Sequence, residues 1–176
     1  QTRCGADTVP VGTRTGGSVI QGRPEVSHLM RGKFYEIMGK TFSTMGGAKS
    51  NDVEDGILDP AEPDFQVRQK DLKRAGKRRF RVLGRSWWPE ELPSDEEYHT
   101  ALKTLERTNW QVDYVITHCA STSIALSMNR HNEADHLTEF LEMVDRRLEY
   151  EYWFFGHFHD NRSVDQKHIL LWEQIV

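Results

Sequence analysis

The sequence predicts an α/β fold, and three consecutive segments in its C-terminal part carry that prediction. Residues 112–117 form a β-rich run that stops at a histidine. Residues 135–149 carry apolar side chains at helical spacing, and residues 152–155 form a second, aromatic strand. A strand–helix–strand crossover makes its two strands parallel, so their carboxyl ends meet at one edge of the sheet. Ligands of open α/β sheets bind at that edge, and a functional site is expected there.

The composition of the chain predicts a protein without membrane association, from a reducing compartment. The chain has 176 residues, a net charge of −4 and a mean hydropathy of −0.68. No apolar run approaches the roughly 18 residues of a membrane span, so no membrane association is expected. Its two cysteines, Cys4 and Cys119, lack the spacing of a metal site, which indicates a reducing compartment. The first residues hold no apolar signal-peptide core, and a cytoplasmic location is expected.

The N-terminal third predicts a loop followed by strands. Residues 1–25 are rich in Gly, Thr and Arg without periodicity and predict a poorly defined segment. Residues 26–176 are expected to form part of a single domain. That part opens with three apolar runs separated by turn residues, which predict an antiparallel meander: 26–30, 34–38 and 41–45.

The middle third predicts an elaborated loop region. Residues 51–62 are acidic and rich in turn formers, whereas the basic segment, residues 70–85, contains eight basic residues and one acid. The basic segment therefore carries +7 and the rest of the chain −11. Such a segment fits contact with phosphate or nucleic acid, and it equally fits a solvated surface.

Helix signals strengthen after Pro93. Ser94 and Glu97 form a capping-box pattern at the start of a helix. The apolar face of that helix repeats at helical spacing through Tyr98, Ala101, Leu102 and Leu105. Asp135 is suited to cap the second helix, and residues 168–172 predict a last strand.

Three of the eight histidines fall at the expected sheet edge. His118 follows the first parallel strand, while His157 and His159 follow the second. In extended backbone, residues two apart project to the same side, so His157 and His159 can converge. Neutral imidazole is a common ligand of Zn, Mn and Fe. These histidines therefore predict part of a metal coordination sphere, and the other five are assigned no function.

No nucleophile is identified near these histidines. His118 and Cys119 are adjacent in a strand and face opposite sides, so they do not form a catalytic pair. Ser121 and Ser123 lack the sequence context of a nucleophile elbow. The sequence alone thus assigns no catalytic residue and no substrate-binding residue.

At these residues the sequence resembles the calcineurin-like metallophosphoesterases. The motif Gly156-His157-Phe158-His159 and the run ending at His118 are similar to the C-terminal half of that family. Further segments look like landmarks of a subgroup of small bacterial calcineurin-like phosphoesterases: His28-Leu29-Met30-Arg31-Gly32, Met45-Gly46-Gly47-Ala48, 86–94 and 153–157. The resemblance covers about residues 24–176.

The resemblance implies a four-layer αββα sandwich of mixed sheets and a hydrolase that cleaves phosphoester bonds at a dinuclear metal site. His118 and His157 would bind one divalent ion and His159 the other. Mn, Fe or Zn would suit this site, because these metals accept nitrogen and oxygen ligands. The expected substrate is a phosphoester, whether monoester, diester, nucleotide or phosphoprotein.

Three N-terminal motifs of the family do not occur in this chain. These motifs are Asp-X-His, Gly-Asp-X-X-Asp and Gly-Asn-His-Asp/Glu, and they supply the carboxylate that bridges the metals. Pro10-Val11 and Gly16-Gly17 align with the stretch just after the third motif. We therefore expect the chain to be the C-terminal half of a phosphoesterase domain. Such a half would be inactive or weak alone and active in its parent protein.

Two alternative functions are open at this stage. The basic segment, with Phe80 inside it and Trp87-Trp88 close by, fits a non-catalytic module that binds nucleic acid or phosphate. Against it, the chain is acidic overall and carries no known nucleic-acid motif. The second alternative is a single zinc ion held by the three histidines alone.

Overall fold

The computed structural model describes residues 19–23 and 26–173 as a mixed α/β protein. The chain divides into two compact units, one that runs to Gly47 and resumes at Pro93, and one that spans Ala48–Leu92. Among the described residues, no helix is long and apolar enough to cross a membrane.

The described elements are ten strands, four α-helices and one 3₁₀ turn. In chain order they are β1 Val19–Arg23, β2 Val26–Leu29, β3 Lys33–Ile37, β4 Lys40–Met45, β5 Ile57–Leu58, α1 Phe65–Arg74, β6 Arg81–Val82, a 3₁₀ turn Pro89–Glu91, α2 Asp95–Arg107, β7 Tyr114–Thr117, α3 Thr122–Met128, α4 His136–Arg147, β8 Tyr152–Phe155, β9 Arg162–Ser163 and β10 His168–Leu170.

A six-stranded mixed sheet in the order β3-β4-β7-β8-β10-β9 forms the centre of the first unit. The two outer pairs, β3–β4 and β10–β9, are antiparallel, whereas β4, β7, β8 and β10 run parallel. The predicted crossover is confirmed, since β7 and β8 pair in parallel with Tyr114 opposite Tyr152. The carboxyl ends of four strands therefore lie along one edge of the sheet.

The predicted meander is only partly correct. The second and third runs form the antiparallel hairpin β3–β4, but β2 pairs with β1 in a separate two-stranded sheet. A strand needs a partner for its backbone amides, and β1 provides one from within the segment expected to be poorly defined. Residues 1–18, which include Cys4, and residues 24 and 25 lie outside the described residues.

Both predicted helix starts are confirmed by reciprocal caps. In α2 the Ser94 hydroxyl accepts the Glu97 N–H, and the Glu97 carboxylate accepts the Ser94 N–H at 2.8 Å. In α4 the Asp135 carboxylate accepts the Thr138 N–H at 2.9 Å, and the Thr138 hydroxyl accepts the Asp135 N–H. Each cap satisfies amides that a helix start leaves without partners.

The second unit contains a helix that the sequence did not predict. Helix α1 buries none of its residues, so it has no apolar stripe that periodicity could detect. Its Gln, Lys, Arg and Leu residues have good intrinsic helix propensity. Within the same unit, β5 and β6 form a short parallel pair that the sequence analysis also missed.

One face of the six-stranded sheet is covered. Residues that pair across strands share a face, so Val115, Trp153 and His168 lie in one row. All three are buried. Helix α4 lies over this face, because its Asp145 contacts His168. The buried residues of α4 and its C-terminal cap are Leu137, Thr138, Leu141, Val144 and Leu148.

The opposite face of the sheet is apolar and partly bare. We call it the open aromatic face, and it comprises Phe42, Tyr114, Ile116, Tyr152 and Phe154. Ile116 and Tyr152 are 40% and 42% exposed. The Tyr114 and Phe154 ring centroids lie 6.0 Å apart, so the rings form a contiguous surface. An apolar sheet face normally packs against a second layer.

Leu141 and Leu126 offer a matched pair for testing whether α4 packs its apolar stripe into the core. Leu141 of α4 is 2% exposed, whereas Leu126 of α3 is 42% exposed. We expect Leu141→Ala to lower the free energy of unfolding by about 2–5 kcal/mol, because it leaves a cavity. Leu126→Ala should change it by about 0.5 kcal/mol or less. Urea denaturation followed by circular dichroism measures both, and equal effects would contradict this core.

Candidate metal centre

The parallel strands bring His118 and His157 to the same edge of the sheet. His118 directly follows β7, and His157 follows β8 after Gly156. The Gly156 N–H donates to the His118 carbonyl at 3.1 Å, which continues the β7–β8 ladder beyond both strands. The His118 N–H donates in turn to the Met45 carbonyl at the end of β4. Backbone hydrogen bonds thus fix both histidines.

The two imidazole rings lie close enough to share one ion. Their centroids are 5.3 Å apart and the rings are inclined by 72°. With metal–nitrogen bonds of about 2.0–2.1 Å and tetrahedral angles, two rings on one zinc ion have centroids roughly 5 Å apart. The separation of the two rings is therefore compatible with two positions of one coordination sphere.

The turn that carries the other two histidines has unusual backbone angles. His157 has φ = 71° and His159 has φ = 50°, both in the left-handed region that non-glycine residues rarely adopt. Residues in such conformations cost about 1–3 kcal/mol each and cluster at functional sites. Because the turn is left-handed at the histidines themselves, the expectation of extended backbone from His157 to His159 is wrong.

His159 lies apart from the histidine pair. Its exposed ring stacks on Trp172 with centroids 5.2 Å apart and an interplanar angle of 14°. Trp172 is held by its backbone N–H, which donates to the Asn161 side-chain oxygen at 2.8 Å. The structure therefore brings His118 and His157 together and directs the ring of His159 towards Trp172.

The electrostatic surroundings favour the neutral form of His157. Burial lowers its pKa below the ordinary value of 6.5, and electrostatic repulsion from the neighbouring His118 and His159 lowers the pKa further. The carboxylate of Asp135 acts in the opposite direction but does not reverse the shift. A lowered pKa leaves His157 unprotonated at neutral pH, which is the form that binds metals.

The donor set fits a metal ion in part. Two imidazole nitrogens suit Zn, Mn or Fe, but a zinc ion takes four ligands. In the described part of the chain, no group of three or more His, Cys, Asp and Glu side chains is arranged to hold a metal ion. The pair therefore needs further ligands to complete a site.

Cys119 does not provide a nucleophile beside the pair. It is buried and free, and burial raises the pKa of its thiol to about 11. The thiol is therefore protonated at neutral pH and unreactive.

The basic segment is partly neutralised within the second unit. Four of its eight cations form ion pairs, three of them with the acidic stretch that precedes it: Arg74–Asp71, Lys77–Asp55, Arg79–Glu54 and Arg81–Asp52. These pairs reduce the positive field available to a phosphate backbone. Binding of nucleic acid by this segment stays a prediction.

Several features of this site escaped the sequence analysis. The sequence assigned no role at this site to Trp172 and Asn161, because neither belongs to a recognisable metal motif. Outside this site, the sequence also gave no signal for Asp165, which contacts His168. Only the Gly-His-X-His spacing gave a signal that could place the turn at the sheet edge.

No family model, curated protein or solved structure matches this chain. The fold and the geometry of the histidines are therefore the observations from which its function is inferred.

The lowered pKa of His157 can be tested in the metal-free chain. We expect the His157 imidazole to titrate below pH 6.5 in proton NMR, because burial and neighbouring positive charge disfavour its protonation. His157→Gln assigns the resonance. Adding Zn²⁺ should shift the signals of His118 and His157 together, while the exposed His131 serves as the control. A His157 midpoint at or above 6.5 would contradict this environment of the ring.

Proposed function

We propose that this chain is the C-terminal part of a calcineurin-like metallophosphoesterase domain, whose complete form hydrolyses phosphoester bonds with two divalent metal ions. The observation that carries the proposal is the pairing of His118 and His157 at the carboxyl edge of parallel strands, within the Gly-His-X-His motif. The cytoplasmic location expected from the sequence stays a prediction.

In this proposal the three histidines divide between two ions. His118 and His157 would hold one, and His159, whose ring stacks on Trp172 in this structure, would hold the second. Bound Mn, Fe or Zn ions would neutralise the charge that develops on phosphate oxygens during hydrolysis. The carboxylate and amide ligands come from the N-terminal motifs, which this chain does not contain.

The residues of this chain serve mainly to hold and orient. Backbone hydrogen bonds donated by Gly156 and His118 hold the two paired histidines at the edge of the sheet. The left-handed backbone at His157 and His159 directs their side chains out of the strand direction. The low pKa of His157 keeps its nitrogen free of a proton at neutral pH. Such preorganisation lowers the cost of assembling the site.

The open aromatic face supports the proposed sandwich. In a four-layer fold this face would pack against a second sheet about 10 Å away, and the exposed Ile116 and Tyr152 would become buried. The covered face already packs under α4. An arrangement with helices on one side and a bare apolar surface on the other is what one half of such a sandwich would present.

The activity is tested in the parent polypeptide that contains this chain and the N-terminal motifs. We expect Mn²⁺-dependent hydrolysis of p-nitrophenyl phosphate or bis-p-nitrophenyl phosphate. His157→Ala should reduce kcat/KM by more than about 100-fold. Mutating residues that only hydrogen-bond to metal ligands already lowers metal affinity or activity by about 10–100-fold, and His157 would be a ligand itself.

His131→Ala, at an exposed histidine outside the site, should leave that activity unchanged. Retained activity in the His157→Ala enzyme would overturn the assignment. Calorimetry on this chain alone addresses the single-zinc alternative: the proposal expects weak binding, whereas tight one-to-one binding of Zn²⁺ would favour that alternative.

The second sheet is tested on the open aromatic face. Ile116→Lys should lower the free energy of unfolding of the parent by more than about 2 kcal/mol, because it would bury a charge. In this chain alone the same change should be nearly neutral and should weaken binding of the dye ANS. Met38→Lys is the matched control, since Met38 is an exposed apolar residue in the β3–β4 turn. Equal effects of both variants in the parent would exclude the sandwich.

A further inference from the structure

A buried ionic cluster lies on the covered face of the sheet, at the beginning of β10. His168 is buried, with its Nδ1 atom 2.9 Å from Asp165 Oδ2 and its Nε2 atom 3.2 Å from Asp145 Oδ2. Only the protonated imidazole can donate from both nitrogens. The arrangement of two carboxylates around one ring therefore suits a charged histidine.

The cluster connects four parts of the fold. Asp145 belongs to α4, and its Oδ2 atom also accepts the hydroxyl of Ser121, the residue that precedes α3, at 3.0 Å. Its Oδ1 atom accepts the Tyr150 hydroxyl from the connection to β8. Asp165 lies in the turn between β9 and β10 and also accepts the His168 N–H at 2.8 Å. Asp145 therefore joins α4 to Ser121 and Tyr150, and His168 links Asp145 to Asp165.

The charged and titratable groups around His168 come from every neighbouring element. Asp145 faces it from α4, Tyr150 from the connection to β8, and Asp165 from its own turn. Lys167 lies over the Tyr150 ring at 4.7 Å and donates to the Tyr150 carbonyl. Trp153 packs beside His168 from β8 with ring centroids 5.8 Å apart.

We propose that His168, Asp145 and Asp165 form a pH-dependent clamp. Protonated His168 holds β10 and its preceding turn against α4, and deprotonation of His168 loosens that edge of the sheet. The clamp concerns residues outside the proposed metal centre. Its test is therefore independent of the proposed phosphoesterase activity.

The direction of the pH dependence follows from the neighbours of His168. Burial alone would lower its pKa, but hydrogen bonds and charges from Asp145 and Asp165 outweigh burial and raise the pKa above 6.5. Burial would raise the pKa values of Asp145 and Asp165, but hydrogen bonds outweigh it and lower both below 3.8. Asp145 accepts from His168 and Tyr150, and Asp165 accepts from the Lys167 and His168 backbone amides and the His168 ring.

These shifts define where the clamp is strongest. The stabilisation from His168 is complete below its unfolded pKa of 6.5 and is lost as the pH rises through the folded value. The stabilisation from the carboxylates is complete above 3.8 and is lost as the pH falls through their folded values. The clamp is therefore tightest between 3.8 and 6.5.

Loosening of β10 would reach the histidine turn. The strand runs directly into Leu171 and Trp172, and the Leu171 N–H donates to the Phe155 carbonyl at 2.8 Å. Trp172 stacks on His159. The clamp thus couples the pH to the order of the segment that supports His159.

Hydrogen exchange measured at several pH values tests the clamp in this chain. Protection factors, which correct for the intrinsic pH dependence of exchange, are measured at the Val164 and Leu171 amides, whose acceptors lie in β10 and β8. We expect severalfold lower protection at about pH 8 than at about pH 5–6, the range in which histidine titrates. The Gly32 amide, bonded to Thr44 in the hairpin, is the internal reference and should change little.

Variants identify the group responsible. His168→Gln should remove the pH-dependent part of the protection, whereas His131→Gln, at an exposed histidine, should retain it. A wild-type pH profile in His168→Gln would overturn the proposal. Should that variant fail to fold, Asp165→Asn decides the matter, because the Asp165 side chain is 48% exposed and tolerates change. Loss of protection at lower pH supports the clamp, and an unshifted profile contradicts it.

Discussion

The parallel pairing of β7 and β8 is the constraint on which the rest of the candidate site depends. Because both strands run in the same direction and in register, their carboxyl ends finish side by side. His118 and His157 then meet without any specific attraction between them, and the Gly156–His118 hydrogen bond extends the ladder to hold them there. The crossover through α3 and α4 enforces this direction, since a tight turn cannot join parallel strands.

The strained turn after β8 needs support from outside itself. A left-handed conformation at two histidines is unfavourable, and neighbouring contacts must compensate for it. Asn161 accepts the backbone N–H groups of Trp172 and Glu173, which ties the turn to the end of β10. The stack of Trp172 on His159 adds a second tie. The end of β10 therefore takes part in shaping the turn, although it contributes no histidine to the pair.

The two faces of the sheet have different physical tasks. One face buries Trp153, Val115 and Leu170 under α4 and supplies the core of the first unit. Within that apolar surrounding, His168 is tolerated only because carboxylates face both of its nitrogens. The other face exposes part of its aromatic surface, although monomeric proteins rarely expose large contiguous apolar patches. The second sheet of the proposed sandwich would pack on this exposed surface.

The sequence by itself determined the elements with strong local signals: the capping boxes at Ser94 and Asp135, the apolar stripe of α4 and the two parallel strands. It also placed three histidines near one edge, because strand direction follows from the crossover. Only the tertiary structure decided that His118 pairs with His157 while His159 stacks on Trp172, since side-chain direction in an irregular turn depends on contacts from distant residues. For the same reason it alone revealed the partner of β2, the helix α1 without a buried face, and the carboxylates around His168.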